Sequence, residues 1–347
     1  MFFYIELLFV ICIFLLAYKY SRKIREKKIC VICVALILIL VAGLRYQVGT
    51  DYPVYVINYP RYKNASVLNL RYAGIYIIAK IASVLYDDYT TWFFLMSLFT
   101  VGGAVYAVYK YSSNFPFSIL LYLFIGCWHS SFNVVKQCAA VTVLLLGQRF
   151  LFDRKFVKWV FTCLLAASFH ISAVFMIPIY FLVTREINVR QLILMFAVAV
   201  IVSLSYDKLI DVMSSLKRLD VIDASKSVTT RSVNILRVLV SFAPVILACF
   251  FYRGKENENS QTMVLTNFSI LNALLYFASM RSVYLTRFCL YTEAFNVFFI
   301  PHIISKSKLK TNKGIISFVC FVLYLAFWLY DLSKGSTTST FHWIFER

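Results

Sequence analysis

The chain reads as an all-α polytopic membrane protein of about 10–12 transmembrane helices, some of them short or re-entrant. Three observations carry that reading. Of its 347 residues 61% are hydrophobic, with a mean hydropathy of +0.77, which leaves too little polar surface for a soluble domain of this length. Only 15% are charged, and the charges come in blocks between apolar runs. The runs are continuous and near the ~20 residues a spanning helix needs, and they do not alternate as barrel strands do.

The formal charge of +19 belongs to that architecture rather than to a nucleic-acid partner. Lys and Arg in loops orient helices and attract anionic head groups or a pyrophosphate-bearing substrate. The nine Cys are scattered through apolar runs. Cys30 and Cys33 have CxxC spacing without a second ligand pair, so they read as small core residues.

Helix 1 covers about 2–18. No small-residue cleavage site follows it, so it reads as a retained helix. The block 19–28 holds six Lys or Arg, which places it in the cytoplasm and the N-terminus outside. A second helix, about 29–44, brings Arg45 to the outer face. Residues 45–90 are expected as a Tyr-rich outer loop with a short interfacial helix at 72–86. Helix 3 spans about 91–110 and helix 4 about 115–127. The turn Trp128 to Asn133 follows, and helix 5 starts near Val134, with Lys136 and Gln137 one turn inside its outer end.

Residues 157–184 have basic flanks at both ends, Arg154, Lys155 and Lys158 before, Arg185 and Arg190 after. The chain therefore goes in and returns as two short arms, with 168–172 at the apex and Pro178 in the second arm. Such broken helices often line sites at membrane depth. Helix 8 (about 191–205) leads to a long outer loop, 206–232. Helices 9 to 12 are expected near 233–252, 262–280, 287–305 and 314–331, leaving the C-terminus outside. The whole chain, 1–347, is treated as one transmembrane domain. Just over half of the 35 Lys and Arg fall in the assigned inner loops, in tight blocks. The outer ones are mostly single residues near helix ends.

Those single positives are the candidate ligands. Arg45 and Arg287 sit at helix ends, where snorkelling anchors also occur. Asp51 could pair with Arg45 or cap a turn. Lys136 lies in an apolar helix, where an ionisable group is costly unless it has a task. His170 is at the hairpin apex and Arg281 flanks a helix. His129 and His302 read as structural. Tyr46, Tyr52, Tyr55, Tyr59, Trp92 and Trp128 fit an aromatic belt, and some could stack on sugars. Asn64-Ala65-Ser66 matches the glycosylation tripeptide, which is common by chance. Fixed cations without a carboxylate cluster suit direct contacts to phosphate more than a bound Mg²⁺.

Four stretches carry a resemblance. Gly43 to Tyr52, followed by Tyr55, resembles the first outer-loop signature of the EpsG family, Wzy-like polysaccharide polymerases of bacterial envelopes. Asn133-Val134-Val135-Lys136-Gln137 stands where that family has an Arg-Gln pair opening a helix, with Lys in place of Arg. Ala167 to Ala173 is similar to its Phe-His-x-Ser-Ala element, and Arg287 to Tyr291 to its late Arg-x-x-x-Tyr.

The resemblance implies a GT-C-like glycosyltransferase architecture in the bacterial inner membrane, with the active site on the outer, periplasmic side. It implies an O-antigen type polymerase for surface polysaccharide or lipopolysaccharide. Such an enzyme transfers a glycan from undecaprenyl pyrophosphate to the non-reducing end of a new lipid-linked repeat unit. It would need no metal, cofactor or nucleotide sugar, would work within membrane lipid, and would often act beside a chain-length regulator. Arg45, Lys136 and Arg287 would neutralise the pyrophosphate. His170 or Asp51 would accept the acceptor proton. Gln137, Arg281, Tyr291 and Tyr52 would support substrate binding. The rivals are an O-antigen ligase and a flippase for the same lipid. The early Arg-x₅-Asp signature favours the polymerase over the ligase, and the lack of an internal repeat disfavours the flippase.

Overall fold

The computed structural model describes residues 1–67, 72–215, 233–251, 260–282, 285–307, 313–335 and 340–346. The described chain is helical. Its single isolated β-bridge pairs Arg45 with Trp343. The first helices are α1 (Phe2–Tyr20), α2 (Ile24–Gly43), α3 (Tyr52–Asn64), α4 (Ala73–Leu85), α5 (Tyr89–Tyr111), α6 (Phe115–Phe124), α7 (Cys127–Asn133) and α8 (Val135–Gly147). There follow α9 (Arg149–Phe152), α10 (Phe156–Ala167), a 3₁₀ turn (Ile171–Phe175), α11 (Met176–Val183) and α12 (Val189–Ser215). The last are α13 (Ile235–Phe251), α14 (Ser260–Ala278), α15 (Thr286–Lys306) and α16 (Lys313–Lys334).

Among the described residues α1, α5, α15 and α16 are long and apolar enough to cross a membrane. The pair α6 and α7, bent by 45°, makes a fifth candidate, and six further apolar helices are shorter. This is an all-α, multi-pass membrane protein. On α1, Tyr4, Leu7, Ile11 and Leu15 face inward while Phe9, Ile13 and Leu16 are exposed. A helix apolar on every side fits a lipid surround.

The chain forms two compact units. Unit 1 comprises Met1–Phe150, Lys155–Ile177 and Leu309–Arg347; unit 2 comprises Leu151–Arg154 and Pro178–Lys308. In unit 1, α5 packs against α2, α4 and α8. Hydroxyls tie these contacts: Ser97 Oγ donates to the Ile39 carbonyl at 2.9 Å, and Thr142 Oγ1 to the Thr100 carbonyl at 2.9 Å. Small hydroxylated residues let membrane helices approach closely.

Several boundaries differ from expectation. Arg25 to Lys28 belong to the first turns of α2 rather than to a loop. Residues 52–64 form a helix within the expected loop. Pro53 occupies its first turn, where the missing N–H is harmless, and Tyr52, Tyr55, Tyr59 and Tyr62 recur on its buried side. Trp128 to Asn133 are helical, set off from α6 by Gly126 at φ 95°. Helix α12 continues to Ser215, so no loop starts at 206; 216–232 lies outside the described residues. Residues 157–184 hold two short helices, α10 and α11, separated at 168–175 by the 3₁₀ turn.

Candidate functional site

The loop from Arg45 to Asp51 is built around a buried arginine. Arg45 is 2% exposed, and its guanidinium donates to three backbone carbonyls. Nε reaches Val48 at 3.2 Å, one terminal nitrogen binds Ala42, and the other reaches Phe132 at 3.1 Å. Its central carbon lies 4.7 Å from the Phe93 ring, 5.1 Å from Phe132 and 5.8 Å from Tyr52. Arginine's planar fork suits this use, since it holds several acceptors in fixed directions and stacks on rings. The arginine thus acts first as an organiser of its own loop, and Asp51 is not among its hydrogen-bond acceptors.

Two residues turn the loop through left-handed backbone, Gln47 at φ 53° and Gly49 at φ 109°. At Gly49 a Cβ would stand 2.7 Å from the Phe132 carbonyl and 2.8 Å from Asn133 Oδ1, so glycine is required twice over. The tight approach lets Thr50 N–H donate to Asn133 Oδ1 at 2.7 Å, with Thr50 Oγ1 at 3.2 Å from the same oxygen. Asp51 sits at the N-cap position of α3 without a side-chain capping bond; its Oδ1 is 3.5 Å from Thr50 Oγ1. Tyr52 is buried and stacks on Phe93 at 4.7 Å. The first signature is therefore bonded to the residue that opens the second.

Three residues on from Asn133, Lys136 lies in the first turn of α8. Its ammonium stands over three phenol rings, 4.9 Å from Tyr72, 5.7 Å from Tyr62 and 5.9 Å from Tyr55. Ring faces are negative and stabilise a cation away from water. Gln137 beside it is 2% exposed. Tyr72 precedes α4, and two residues later Gly74 N–H donates to the Ser168 carbonyl at 3.0 Å. The Phe169 ring closes on Gly74 and stacks on Phe99 at 4.8 Å. His170 follows, half-buried, its Nδ1 2.7 Å from Ser172 Oγ. The ring is thereby fixed by the serine of its own element. Unit 1 thus joins the 45–52 loop, Lys136 with Gln137, and the His170 turn through α3, α4 and the end of α7.

Arg281, Arg287 and Tyr291 lie in unit 2. Arg281 is exposed after α14, Arg287 is exposed in the first turn of α15, and Tyr291 is buried one turn on. The sequence reading passed over the polar centre of this unit. Glu293, 5% exposed, accepts from Tyr276 Oη at 2.9 Å and stands 3.9 Å from the Arg237 guanidinium. Thr292 Oγ1 donates to Asn272 Oδ1 at 3.0 Å nearby. A lone Glu inside an apolar helix was the available signal. His302, expected to be structural, is buried against Thr262 Oγ1 at 2.8 Å. Among the described residues no three His, Cys, Asp or Glu side chains gather as metal ligands.

No curated protein and no solved structure matches the chain. The model of the EpsG family, a Wzy-like polymerase type, matches residues 28–344. That span runs from the basic start of α2, through the loop, the lysine and the histidine turn, to the segment bridged with Arg45, and the chain belongs to the EpsG family.

Proposed function

We propose that this polysaccharide polymerase-like membrane protein is a glycosyltransferase of the O-antigen type. It moves a growing glycan from undecaprenyl pyrophosphate to the non-reducing end of a new lipid-linked repeat unit, at the outer face of the bacterial inner membrane. The observation that carries the reading is the joining, in one unit, of the three EpsG-like stretches that hold Arg45, Lys136 and His170. An ammonium in an aromatic cage and a guanidinium held by neutral carbonyls are the two cations that the region would offer a pyrophosphate leaving group.

Each residue then has a task. Lys136 contacts the pyrophosphate, with Gln137 supporting it. Arg45 holds the Gly49 turn and adds its field. His170, steadied by Ser172, accepts the proton of the acceptor hydroxyl as the new glycosidic bond forms. Asp51 and Tyr52 shape the entrance of α3. The roles assigned to Arg281, Arg287 and Tyr291 rest on the family resemblance. Lipid tails reach the region from the bilayer, and a chain-length regulator is the expected partner protein.

The test is reconstitution in vesicles with the lipid-linked repeat unit, EDTA and no nucleotide sugar. A ladder of lengthening lipid-linked glycan is expected. Lys136→Met and His170→Ala should each lower the rate by about 10²-fold. Transfer of unchanged lipid to the opposite leaflet, with no ladder, would establish the flippase instead.

A further inference from the structure

Residues 340–346 lie along the start of the signature loop. Tyr46 N–H donates to the His342 carbonyl and Ile344 N–H to the Leu44 carbonyl, both at 2.8 Å, with Arg45 opposite Trp343. Side chains fasten this short antiparallel pair to the first turn of α1. Phe341 stacks on Phe3 at 4.1 Å and 4°, and Trp343 meets the edges of Phe3 at 5.8 Å and Phe341 at 4.9 Å. Glu346 closes the segment on itself. Its carboxylate accepts from Trp343 N–H at 3.2 Å and lies 2.9 Å from His342 Nδ1.

We propose that 340–346 is a positioning element of the candidate site, with Trp343 its principal positioning residue. The loop has two sides to secure. The Phe132 carbonyl and Asn133 hold it from the α7 side. The opposite edge, at Leu44 and Tyr46, is held by the 340–346 backbone. Arg45 lies between these two fastenings, so the direction of its fork, and with it the Gly49 turn, depends on both. Two backbone hydrogen bonds and a few aromatic pairs are enough to select one loop conformation and too few to carry the packing of α2, α5 and α8. Release of the segment should therefore displace the loop while the helices stay folded. Trp343 touches none of Lys136, Gln137 or His170 among the contacts above, and acts only through Arg45 and its neighbours.

The inference rests on the polymerase reading only in its activity arm. The experiment compares full-length protein with Trp343→Ala and Trp343→Phe in detergent, by amide hydrogen exchange and by turnover of the lipid-linked repeat unit. Trp343→Ala should exchange at least about tenfold faster at 46–50, with α2, α5 and α8 unchanged. Its kcat should fall about fivefold or more while KM moves less than twofold. Trp343→Phe, which keeps an aromatic face against Phe3, should restore most of both. Unchanged exchange at 46–50 in Trp343→Ala would overturn the proposal. So would faster exchange at 46–50 with normal kcat, or a loss of kcat that only tracks faster exchange throughout α2 and α5. If the parent protein elongates no lipid-linked glycan, the polymerase reading falls, and exchange at 46–50 alone decides whether 340–346 positions the loop.

Discussion

Arg45 in unit 1 and Arg237 in unit 2 both bring a guanidinium among helices, with opposite partners. Arg45 is enclosed by the carbonyls of Ala42, Val48 and Phe132 and by three aromatic rings, all formally neutral. Arg237 stands beside the buried carboxylate of Glu293, which also accepts from Tyr276. Carbonyl dipoles solvate a cation without cancelling its charge, so Arg45 still projects a positive field into its surroundings. A carboxylate partner cancels the field beyond a few ångströms and leaves a local lock. The difference separates an arginine that keeps its field from one whose field is cancelled by its neighbour.

The sharpest way to break the comparison is Arg45→Ala. Three carbonyls would lose a charged donor in a water-poor setting, and the expected destabilisation is about 3 kcal/mol or more. Thermal unfolding in detergent measures it. Arg45→Lys should recover little, because an ammonium cannot meet three divergent carbonyls as the fork does. A melting curve for Arg45→Ala that overlays the parent's would mean that Arg45 is a ligand held in reserve rather than the organiser of its loop.

That role was out of reach of the sequence for a definable reason. A charged residue at the end of an apolar run signals a task at the membrane surface, but chain order cannot say that its acceptors are main-chain carbonyls from α2 and α7. The broad plan was legible, because apolar runs and basic flanks mark spans directly. Even the break into two short helices around His170 follows from the shortness of the apolar run between the basic ends of 157–184. Helix α3 was missed because its Tyr, Pro and Lys content looks like a loop. Only when tyrosine is counted as apolar do positions 52, 55, 59 and 62 show a helical period. Glu293 was legible in principle, as a carboxylate inside the apolar stretch of α15, but the neighbouring Arg287 and Tyr291 carried the family pattern and drew the reading. Lys136 in place of the family's Arg was visible, whereas its cage of Tyr55, Tyr62 and Tyr72 needed the packing of α3 and α4 on α8.

If unit 2 is a lock, its members should be expendable together and not singly. Glu293→Leu should cost about 2–3 kcal/mol by leaving Arg237 beside an apolar side chain. Adding Arg237→Met should return most of it, since removing a whole buried pair is often near neutral. The coupling energy from the double-mutant cycle is the measurement. Additive losses would show that the two side chains act separately. No matching double substitution exists for Arg45, whose acceptors are backbone.

Gly49→Ala comes next, at about 2 kcal/mol. The residue would have to hold φ near 109° with its Cβ pressed on the Phe132 carbonyl, and backbone strain of this kind costs about 1–3 kcal/mol. Unlike Arg45→Ala, it leaves every charge in place. Unfolding and the rate of glycan elongation, read together, would then separate the geometry of the loop from its field. A large loss of stability with normal turnover per folded molecule would leave the field of Arg45, and not the geometry of the loop, as what elongation needs.

The smallest effect is the most exposed. Asp87, between α4 and α5, accepts from Lys63 Nζ at 2.5 Å and from Tyr59 Oη at 3.1 Å, and so pins the end of α3. The Lys63 hydrogen bond holds the Asp87 carboxyl below the ordinary carboxylate value. A carboxyl depressed in the folded state stabilises fully above its unfolded value, about pH 4, and loses that contribution as pH falls through the folded value. Between pH 5 and 8 the clamp should therefore be constant, and below about pH 4 it should weaken. Because Asp87 is half-exposed, solvent and salt screen the pair. Melting midpoints of parent and Asp87→Asn should differ slightly at pH 7 in low salt, converge in 1 M salt, and converge again in acid once pH falls below the folded carboxyl's value. The Arg45 effect, buried among carbonyls, should survive both treatments. If salt instead removed the Arg45 effect and spared the Asp87 one, the assignment of buried organiser and exposed clamp would be reversed.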